Sequence, residues 1–352
     1  MALGPVMLDL RGARMEADEH ELLSHPAAGG VILFSRNFES VAQLEALVHE
    51  IHSMREPRLL VAVDHEGGRV QRFHGEFTRL PACGLIGKAY DDNAARGLEL
   101  AERAGWLMAA ELRGVGIDFS FAPVLDLHKG ISEVIGDRAF HRDPDCAMQL
   151  ARRYMEGMLR AGMAAVGKHF PGHGSVAADS HHELPVDDRR FEDIMMEDLR
   201  VFRHLIENHL AAIMPAHVVY PRVDDKPAGF SRVWLQDVLR EQLRFQGAIF
   251  SDDLGMNGAA VAGDMVARAE VALEAGCDML LVCNNQAGAG SVLNALQTAA
   301  APATQARLMR MHGRRAPSLG ELRRLEQWQS VVAEVTALDK TPELDLDNDQ
   351  LV

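Results

Sequence analysis

Charged side chains stand at the ends of several short apolar runs in this sequence, where a buried strand would give way to a loop. Asp252 closes one such run and is followed directly by Asp253. A carboxylate in this position is a candidate nucleophile, and an aspartate there can equally cap the turn or helix that follows. Asp252 is the better candidate for the nucleophile because it closes the apolar run, whereas Asp253 is a candidate cap.

A second group of polar residues contains four histidines within fourteen residues. Pro171 lies between His169 and His173, and it excludes the helical geometry that would let this pair hold a zinc ion. Asp179 precedes His181 by two residues, close enough for its carboxylate to orient the imidazole and raise its basicity. The pair is a candidate general acid/base, although a surface histidine in a polar loop would look the same.

Two further charged residues follow apolar runs. Asp64 would need a partner or a ligand at a strand end, and Arg72 is a candidate partner in a structural ion pair. The segment His65–Arg69 begins like the zinc motif HExxH, but it ends in arginine and contains two glycines, which exclude the helix that the motif requires. Arg138 can clamp a carboxylate or sugar hydroxyls, or it can pair with Asp137 or another local acid.

Eight apolar runs, each followed by a helix-like stretch, must position these residues. They are Pro5–Leu10, Gly30–Phe34, Leu59–Asp64, Ile117–Pro123, Ala164–His169, Ala211–His217, Ala248–Asp252 and Asp278–Cys283. The alternation is typical of βα units in a parallel sheet. No GxGxxG turn follows the first run, so a closed barrel is favoured over an open doubly wound sheet. We predict an α/β fold, a single-domain (β/α)8 TIM-type barrel with a C-terminal helical extension.

Apolar residues at three- and four-residue spacing predict helices around this barrel. The clearest are Ala95–Arg113, Cys146–Ala161, Phe191–Asn208 and Met265–Ala275, with a later helix over Leu319–Ala337. The predicted organisation is a catalytic barrel over residues 1–300, a helical extension over 301–338 packed on it, and an acidic, frayed tail over 339–352. The connections His65–Asn93 and Phe170–Arg190 are longer than a barrel needs, which favours a functional role.

The charge balance argues against two classes of binding partner, nucleic acids and anionic membranes. The 352 residues carry 36 Lys and Arg against 51 Asp and Glu, a net charge of -15, without the basic footprint that nucleic acids and anionic membranes require. No apolar run approaches the roughly 20 residues of a membrane span, and the first residues lack a basic signal-peptide region. We expect a cytoplasmic protein with no cofactor and no metal, and with its four cysteines reduced.

Taken together, four motifs closely resemble glycoside hydrolase family 3, in its single-domain bacterial branch. They are Asp64–Arg72, Lys168–Gly174, Asp179–His181 and Ser251–Leu254 with Met256. The resemblance covers roughly residues 4 to 300 and is specific, because the motifs stand in the family's order at predicted strand ends.

This resemblance implies a retaining β-N-acetylhexosaminidase that releases terminal β-linked N-acetylglucosamine from peptidoglycan fragments in cell-wall recycling. It implies that Asp252 is the nucleophile and that His181, oriented by Asp179, is the proton donor and acceptor. Histidine can fill that double role near neutral pH without an unusual pKa. The implied sugar-binding residues are Asp64, Arg72, Arg138, Lys168 and His169.

Two other functions stay open at this point. One is a phosphorylase of the same glycosides, because a neutral or cationic histidine repels incoming phosphate less than a carboxylate would. The other is a non-catalytic sugar-binding barrel. In each case the expected partner is a small glycoside, with neither nucleic acid nor membrane, and the expected assembly is a monomer or a weak homodimer.

Overall fold

The computed structural model describes residues 2–177, 184–296 and 301–339. Eight strands form its centre: β1 Val6–Asp9, β2 Ala28–Leu33, β3 Leu60–Val63, β4 Phe119–Ser120, β5 Val166–Phe170, β6 Ala212–Pro215, β7 Ala248–Asp253 and β8 Met279–Val282. They pair in the order β4-β3-β2-β1-β8-β7-β6-β5, and every pairing is parallel. A parallel bridge between Val124 and Lys168 links the two ends of the series. The predicted parallel barrel is confirmed.

Apolar side chains fill the barrel interior, because its strands are covered on both faces. Phe119 in β4 and Phe250 in β7 belong to strands that are not neighbours, yet their ring centroids lie 5.3 Å apart. Phe121 packs edge-on against both rings, at 5.2 and 5.6 Å. These rings pack across the interior and close it, so the polar residues at the strand ends stand over a solid core.

Helices surround the strands. The α-helices are α1 Ala17–Ser24, α2 Val41–Ser53, α3 Cys83–Asp92, α4 Ala94–Gly114, α5 Pro144–Arg160, α6 Phe191–Met196, α7 Asp198–Glu207, α8 Met265–Ala275, α9 Gln286–Ala295, α10 Pro302–Met309, α11 Leu319–Leu322 and α12 Glu326–Thr336. Short 3-10 segments cover Ser35–Asn37, Gly136–Arg138, Ala228–Phe230 and Asn257–Ala262, and a π-helical segment covers Val233–Gln242. Within the described residues, no helix is long and apolar enough to cross a membrane.

Two predicted helices are wrong as continuous elements. The helix expected over Phe191–Asn208 is divided at Glu197, whose backbone (φ -120, ψ -86) leaves the helical region. The helix expected over Leu319–Ala337 is divided into α11 and α12, because Leu325 is extended (φ -78, ψ 131). A single non-helical residue breaks the backbone hydrogen-bond series without disturbing the apolar spacing, so periodicity does not detect it.

The C-terminal helices pack on the outside of the barrel. Leu319 and Leu322 of α11 are buried, and α12 is tied to α4 by the indole Nε1 of Trp328, which donates to Glu111 Oε1 at 3.0 Å. The division at residues 300 and 338 stays a prediction, and the acidic stretch beyond Asp339 lies outside the described residues.

Candidate active site

Polar residues that follow β3, from the hairpin after it, from the 3-10 segment Gly136–Arg138 and from β5 meet at the C-terminal end of the barrel. Lys168 Nζ, on β5, lies 2.7 Å from Asp64 Oδ1 and 2.6 Å from Glu66 Oε1. Glu66 belongs to the hairpin strand His65–Gly67, which pairs with Val70–Gln71 directly after β3. Lys168 is 3% exposed, so two of its three ammonium protons serve these carboxylates and the third can serve a ligand.

Arg138 completes this group of charges. Its Nε and one terminal nitrogen each donate to Glu66 over 2.8 Å, a bidentate pairing, and its other terminal nitrogen donates to the Val134 carbonyl over 3.0 Å. The partners open for Arg138 from the sequence were a ligand, Asp137 or another local acid, and the structure pairs it with Glu66. We call Asp64, Glu66, Arg138 and Lys168 the mouth cluster.

Glu66 is the residue of this cluster that sequence analysis missed. It is 4% exposed, and although burial works against its charge, Arg138 and Lys168 hold the pKa of Glu66 below its usual range. Reciprocally, burial opposes the charge on Lys168, and the neighbouring carboxylates of Asp64 and Glu66 raise its pKa nevertheless. The available signal was a second carboxylate, two residues after the Asp64 that follows the apolar strand, but Glu66 was considered only within larger motifs and was given no role of its own.

The predicted Asp64–Arg72 pair is present but loose. A terminal nitrogen of Arg72 lies 3.9 Å from Asp64 Oδ2, much farther than Lys168 is from the same carboxylate. The Arg72 guanidinium carbon lies 5.4 Å from the Phe34 ring centroid, and its buried Nε has no hydrogen-bond partner among the described residues. Arg72 therefore keeps donor capacity that the rest of the described protein does not use.

His169 is held by Asp126, a second residue to which sequence analysis gave no role. His169 Nδ1 lies 2.7 Å from Asp126 Oδ2, and the backbone N–H groups of His169 and His173 donate to the same carboxylate over 3.2 and 2.6 Å. Asp126 is 1% exposed; burial opposes its charge, but the neighbouring histidines lower its pKa. This fixes the imidazole and leaves His169 Nε2 as its ligand-facing nitrogen.

At the end of β7 the two adjacent aspartates have different surroundings. Asp252 Oδ1 accepts a hydrogen bond from the backbone N–H of Asp253 over 2.8 Å. Asp253 Oδ1 accepts from the backbone N–H groups of Gly255 and Cys283, over 2.8 and 3.1 Å. Burial, with Asp252 nearby, raises the pKa of Asp253 to about 6. Asp253 thus ties the turn after β7 to the end of β8, as expected for a capping residue.

Asp252 lies at the same barrel mouth as the cluster that contains Asp64. The pairings that connect β3 to β7 are all parallel, so the C-terminal ends of these two strands lie at the same end of the barrel. Asp64 directly follows β3, and Asp252 is one of the last two residues of β7. Burial raises the pKa of the Cys283 thiol, which follows β8, well above its ordinary value, and the nearby carboxylates of Asp253 and Asp9 raise it further.

The proposed acid/base pair lies outside the described residues. Asp179 and His181 fall within the segment 178–183, so their pairing and their distance from Asp252 stay predictions. Within residues 2–177, 184–296 and 301–339, no group of three or more His, Cys, Asp or Glu side chains is arranged to hold a metal ion.

Comparison with known proteins agrees with this geometry. Residues 5–312 match the model of the glycosyl hydrolase family 3 N-terminal domain. A β-hexosaminidase of Thioalkalivibrio sulfidiphilus is 60% identical over 347 residues, covering 99% of this chain and 100% of that protein. The crystal structure of NagZ from Neisseria gonorrhoeae in complex with N-trifluoroacetyl-D-glucosamine is 43% identical, with a TM-score of 0.93 over 97% of this chain and 99% of that chain.

The chain therefore belongs to glycosyl hydrolase family 3. It is a glycoside hydrolase of the β-hexosaminidase type, and the predictions of family and enzyme class are confirmed.

Proposed function

We propose that this enzyme is a retaining β-N-acetylhexosaminidase that removes terminal, non-reducing β-linked N-acetylglucosamine from peptidoglycan fragments, namely N-acetylglucosaminyl-1,6-anhydro-N-acetylmuramic acid with or without its peptide. The observation that carries the proposal is a carboxylate, Asp252, which accepts a backbone hydrogen bond and stands near the C-terminal end of β7, at the barrel mouth that also holds the mouth cluster. The cytoplasmic location and the role in cell-wall recycling belong to the same proposal and rest on the family resemblance.

In the proposed reaction Asp252 attacks the anomeric carbon while His181 protonates the departing glycosidic oxygen. A covalent glycosyl ester forms, and water then resolves it with His181 acting as base. The hydrogen bond from the Asp253 N–H to Asp252 Oδ1 restrains the orientation of the carboxylate, which favours its attack on the anomeric carbon. Asp179 keeps the imidazole in the orientation and tautomer that the proton transfer needs.

We assign sugar binding to hydrogen-bonding side chains of the mouth cluster and to two side chains beside it, His169 and Arg72. The third N–H of Lys168 can donate to a neutral sugar hydroxyl, and the carboxylate oxygens of Asp64 can each accept a further hydrogen bond from one. His169 presents one nitrogen, because Asp126 holds the other at 2.7 Å, and Arg72 adds donors from the side of Phe34. Arg138 acts mainly by fixing Glu66 and thereby Lys168, since three of its donor directions are already satisfied.

The direct experiment is mass spectrometry of the intact protein after incubation with a slow fluorinated N-acetylglucosamine analogue. We expect one covalent adduct, which peptide mapping places on Asp252. An adduct on Asp253 would move the nucleophile by one residue, and absence of any adduct during measurable turnover would overturn the covalent route.

The same preparation separates hydrolysis from phosphorolysis. With excess phosphate we expect free N-acetylglucosamine as the sugar product from the natural disaccharide. N-acetylglucosamine 1-phosphate as the main product would establish the phosphorylase instead, and no sugar product from any β-N-acetylglucosaminide would leave only a binding barrel.

A further inference from the structure

His217 is a buried histidine beside the proposed nucleophile to which sequence analysis gave no role. It follows β6 by two residues and is 0% exposed. The parallel ladder between β6 and β7 reaches Ile213 and Ile249, which lie opposite each other. Four residues further along both strands, the same register sets His217 beside Asp253, the residue that follows Asp252.

The imidazole of His217 donates a hydrogen bond to the chain just after the nucleophile. Its Nε2 lies 3.1 Å from the backbone carbonyl oxygen of Asp253, and because a carbonyl oxygen only accepts, Nε2 carries the proton. Nδ1 has no hydrogen-bond partner among the described residues. Burial lowers the pKa of His217, although the charge of Asp252 and the backbone of both aspartates oppose this, so the donor is a neutral imidazole.

The imidazole ring is held in place by its packing. The ring of Phe230, itself buried, lies with its centroid 5.3 Å from the centroid of the imidazole. The position that a Cβ would take at Gly229 lies 3.8 Å from His217 Nδ1, which places the backbone of this segment against the ring as well. A donor locked by packing in this way can restrain the group to which it donates.

The end of β7 needs such a restraint because its ladder with β8 is irregular there. Phe250 pairs with Met279 but Asp253 pairs with Leu281, so three steps along β7 correspond to two along β8. An extra residue of this kind is a β-bulge, which disrupts the ladder locally and re-aims a side chain. Asp252 lies inside this interval, where the regular ladder does not fix its backbone.

Asp253 connects His217 to the nucleophile. Its N–H donates to Asp252 Oδ1 over 2.8 Å, and its carbonyl oxygen accepts from His217. Its carboxylate accepts from the backbone N–H groups of Gly255 and Cys283. The residue that orients the Asp252 carboxylate is therefore held from the β8 side by its own side chain and from the β6 side by His217.

We propose that His217 is a positioning residue for the nucleophile, which holds the carbonyl of Asp253 and thereby keeps the Asp252 carboxylate aimed at the anomeric carbon. The inference rests on the proposed function, in which Asp252 attacks that carbon, and adds a residue that acts through the backbone. A small misplacement of a reacting group lowers the rate of the chemical step. Loss of this hydrogen bond should therefore slow the attack about 30-fold and change KM by less than about 2-fold.

The test measures how fast a slow fluorinated N-acetylglucosamine analogue labels the intact protein, because labelling is the attack of Asp252 itself. His217→Gln keeps an N–H donor at the position of Nε2, whereas His217→Met has similar length but no donor, and His217→Asn carries the same amide one methylene shorter. The matched controls are His52→Gln and His52→Met. His52 Nε2 also lies 3.1 Å from its partner, Asp118 Oδ2, but Asp118 precedes β4 and so lies at the opposite end of the barrel.

We expect labelling at saturating analogue to slow about 30-fold in His217→Met and His217→Asn but less than about 5-fold in His217→Gln. The kcat on nitrophenyl β-N-acetylglucosaminide should fall in the same order, and both His52 variants should stay within about 2-fold of wild type. A merely structural role would lower the thermal midpoint of the methionine variants at both positions and leave the labelling rate of the folded protein unchanged.

Equal slowing in His217→Gln and His217→Met, a change in KM alone, or slowing matched by the His52 variants would overturn the proposal. Failure of all three His217 variants to fold would overturn it as well, and if only His217→Met fails, the comparison of His217→Gln with His217→Asn decides in the same way. If wild type is labelled at a residue other than Asp252, or not at all, the proposed function itself fails, and that outcome is visible before any variant is compared.

Discussion

Replacing Glu66 by glutamine tests whether the mouth cluster behaves as a buried, charge-balanced unit. The change keeps the shape of the side chain but removes the charge that faces Arg138 over two contacts of 2.8 Å and Lys168 over 2.6 Å. Removing one partner of a buried ion pair costs roughly 3–5 kcal/mol, since the other charge stays buried. We expect the lower end, about 3 kcal/mol, because Asp64 still pairs with Lys168.

At roughly 1.4 °C per kcal/mol for a chain of 352 residues, the thermal midpoint should fall by roughly 4 °C. Activity should fall as well, by about 100-fold in kcat/KM on nitrophenyl β-N-acetylglucosaminide, because Lys168 loses a group that positions it and small misplacements are costly in a reacting site. Glu156→Gln is the matched control: Glu156 also bridges two arginines, at 2.9 and 2.7 Å, but these pairs are partly exposed to solvent and should contribute less than about 1 kcal/mol.

The pH dependence of the stability difference between wild type and Glu66→Gln follows from the direction in which the pKa of Glu66 is shifted. The pKa of Glu66 is held below its ordinary value of 4.5 in the folded protein, so its stabilising contribution is complete above that value and is lost as the pH falls below it. The difference in midpoint between wild type and Glu66→Gln should therefore be constant from about pH 5.5 to 8 and shrink below about pH 4.5. A midpoint within about 1 °C of wild type at pH 7, or a loss equal to that of Glu156→Gln, would refute the reasoning.

Three further predictions concern the nucleophile, the acid and the capping aspartate Asp253. Asp252→Ala should abolish turnover with the fold intact, and retention of more than about a hundredth of the wild-type rate would point to another nucleophile. His181→Ala should cripple cleavage of poor leaving groups and affect a nitrophenyl glycoside much less, with Asp179→Ala showing the same trend more mildly; equal losses across leaving groups would contradict the acid role. The pKa of Asp253 is raised to about 6 by burial, so its charge destabilises the fold above that pH and the penalty disappears as the pH falls. Asp253→Asn should therefore unfold at a higher temperature than wild type at pH 8, with the gap narrowing as the pH falls through about 6 and vanishing only below the ordinary value of 3.8, and a constant gap would contradict this.

The barrel could be predicted because each strand is a continuous apolar run, which is what a strand covered on both faces requires. The prediction of β7 over Ala248–Asp252 differs by one residue from the observed strand, and α8 over Met265–Ala275 was predicted without error. The break at Glu197 was missed because it lies in one backbone torsion pair and leaves the apolar spacing of α6 and α7 intact.

The candidate site was predictable in its residue types but not in its pairings. Asp64 was assigned Arg72 as its partner, a residue eight positions away in the sequence, whereas Lys168 lies closer and is separated by 104 residues. Such contacts depend on the register of a closed barrel, which sets strand ends side by side and leaves no local signal in the sequence. Glu66 and Asp126 were missed for this reason, since each acts on residues of other strands.

The mouth cluster also constrains what kind of ligand the barrel can receive. Asp64 and Glu66 carry two negative charges and Lys168 and Arg138 carry two positive charges, all joined by direct contacts. A balanced cluster offers hydrogen-bond donors and acceptors without attracting a net charge, and that is the requirement for binding the neutral hydroxyls of a sugar ring. Discrimination between neutral and anionic glycosides must then come from charges outside the cluster, so selectivity for the leaving group and recognition of the sugar can be altered independently by substitution.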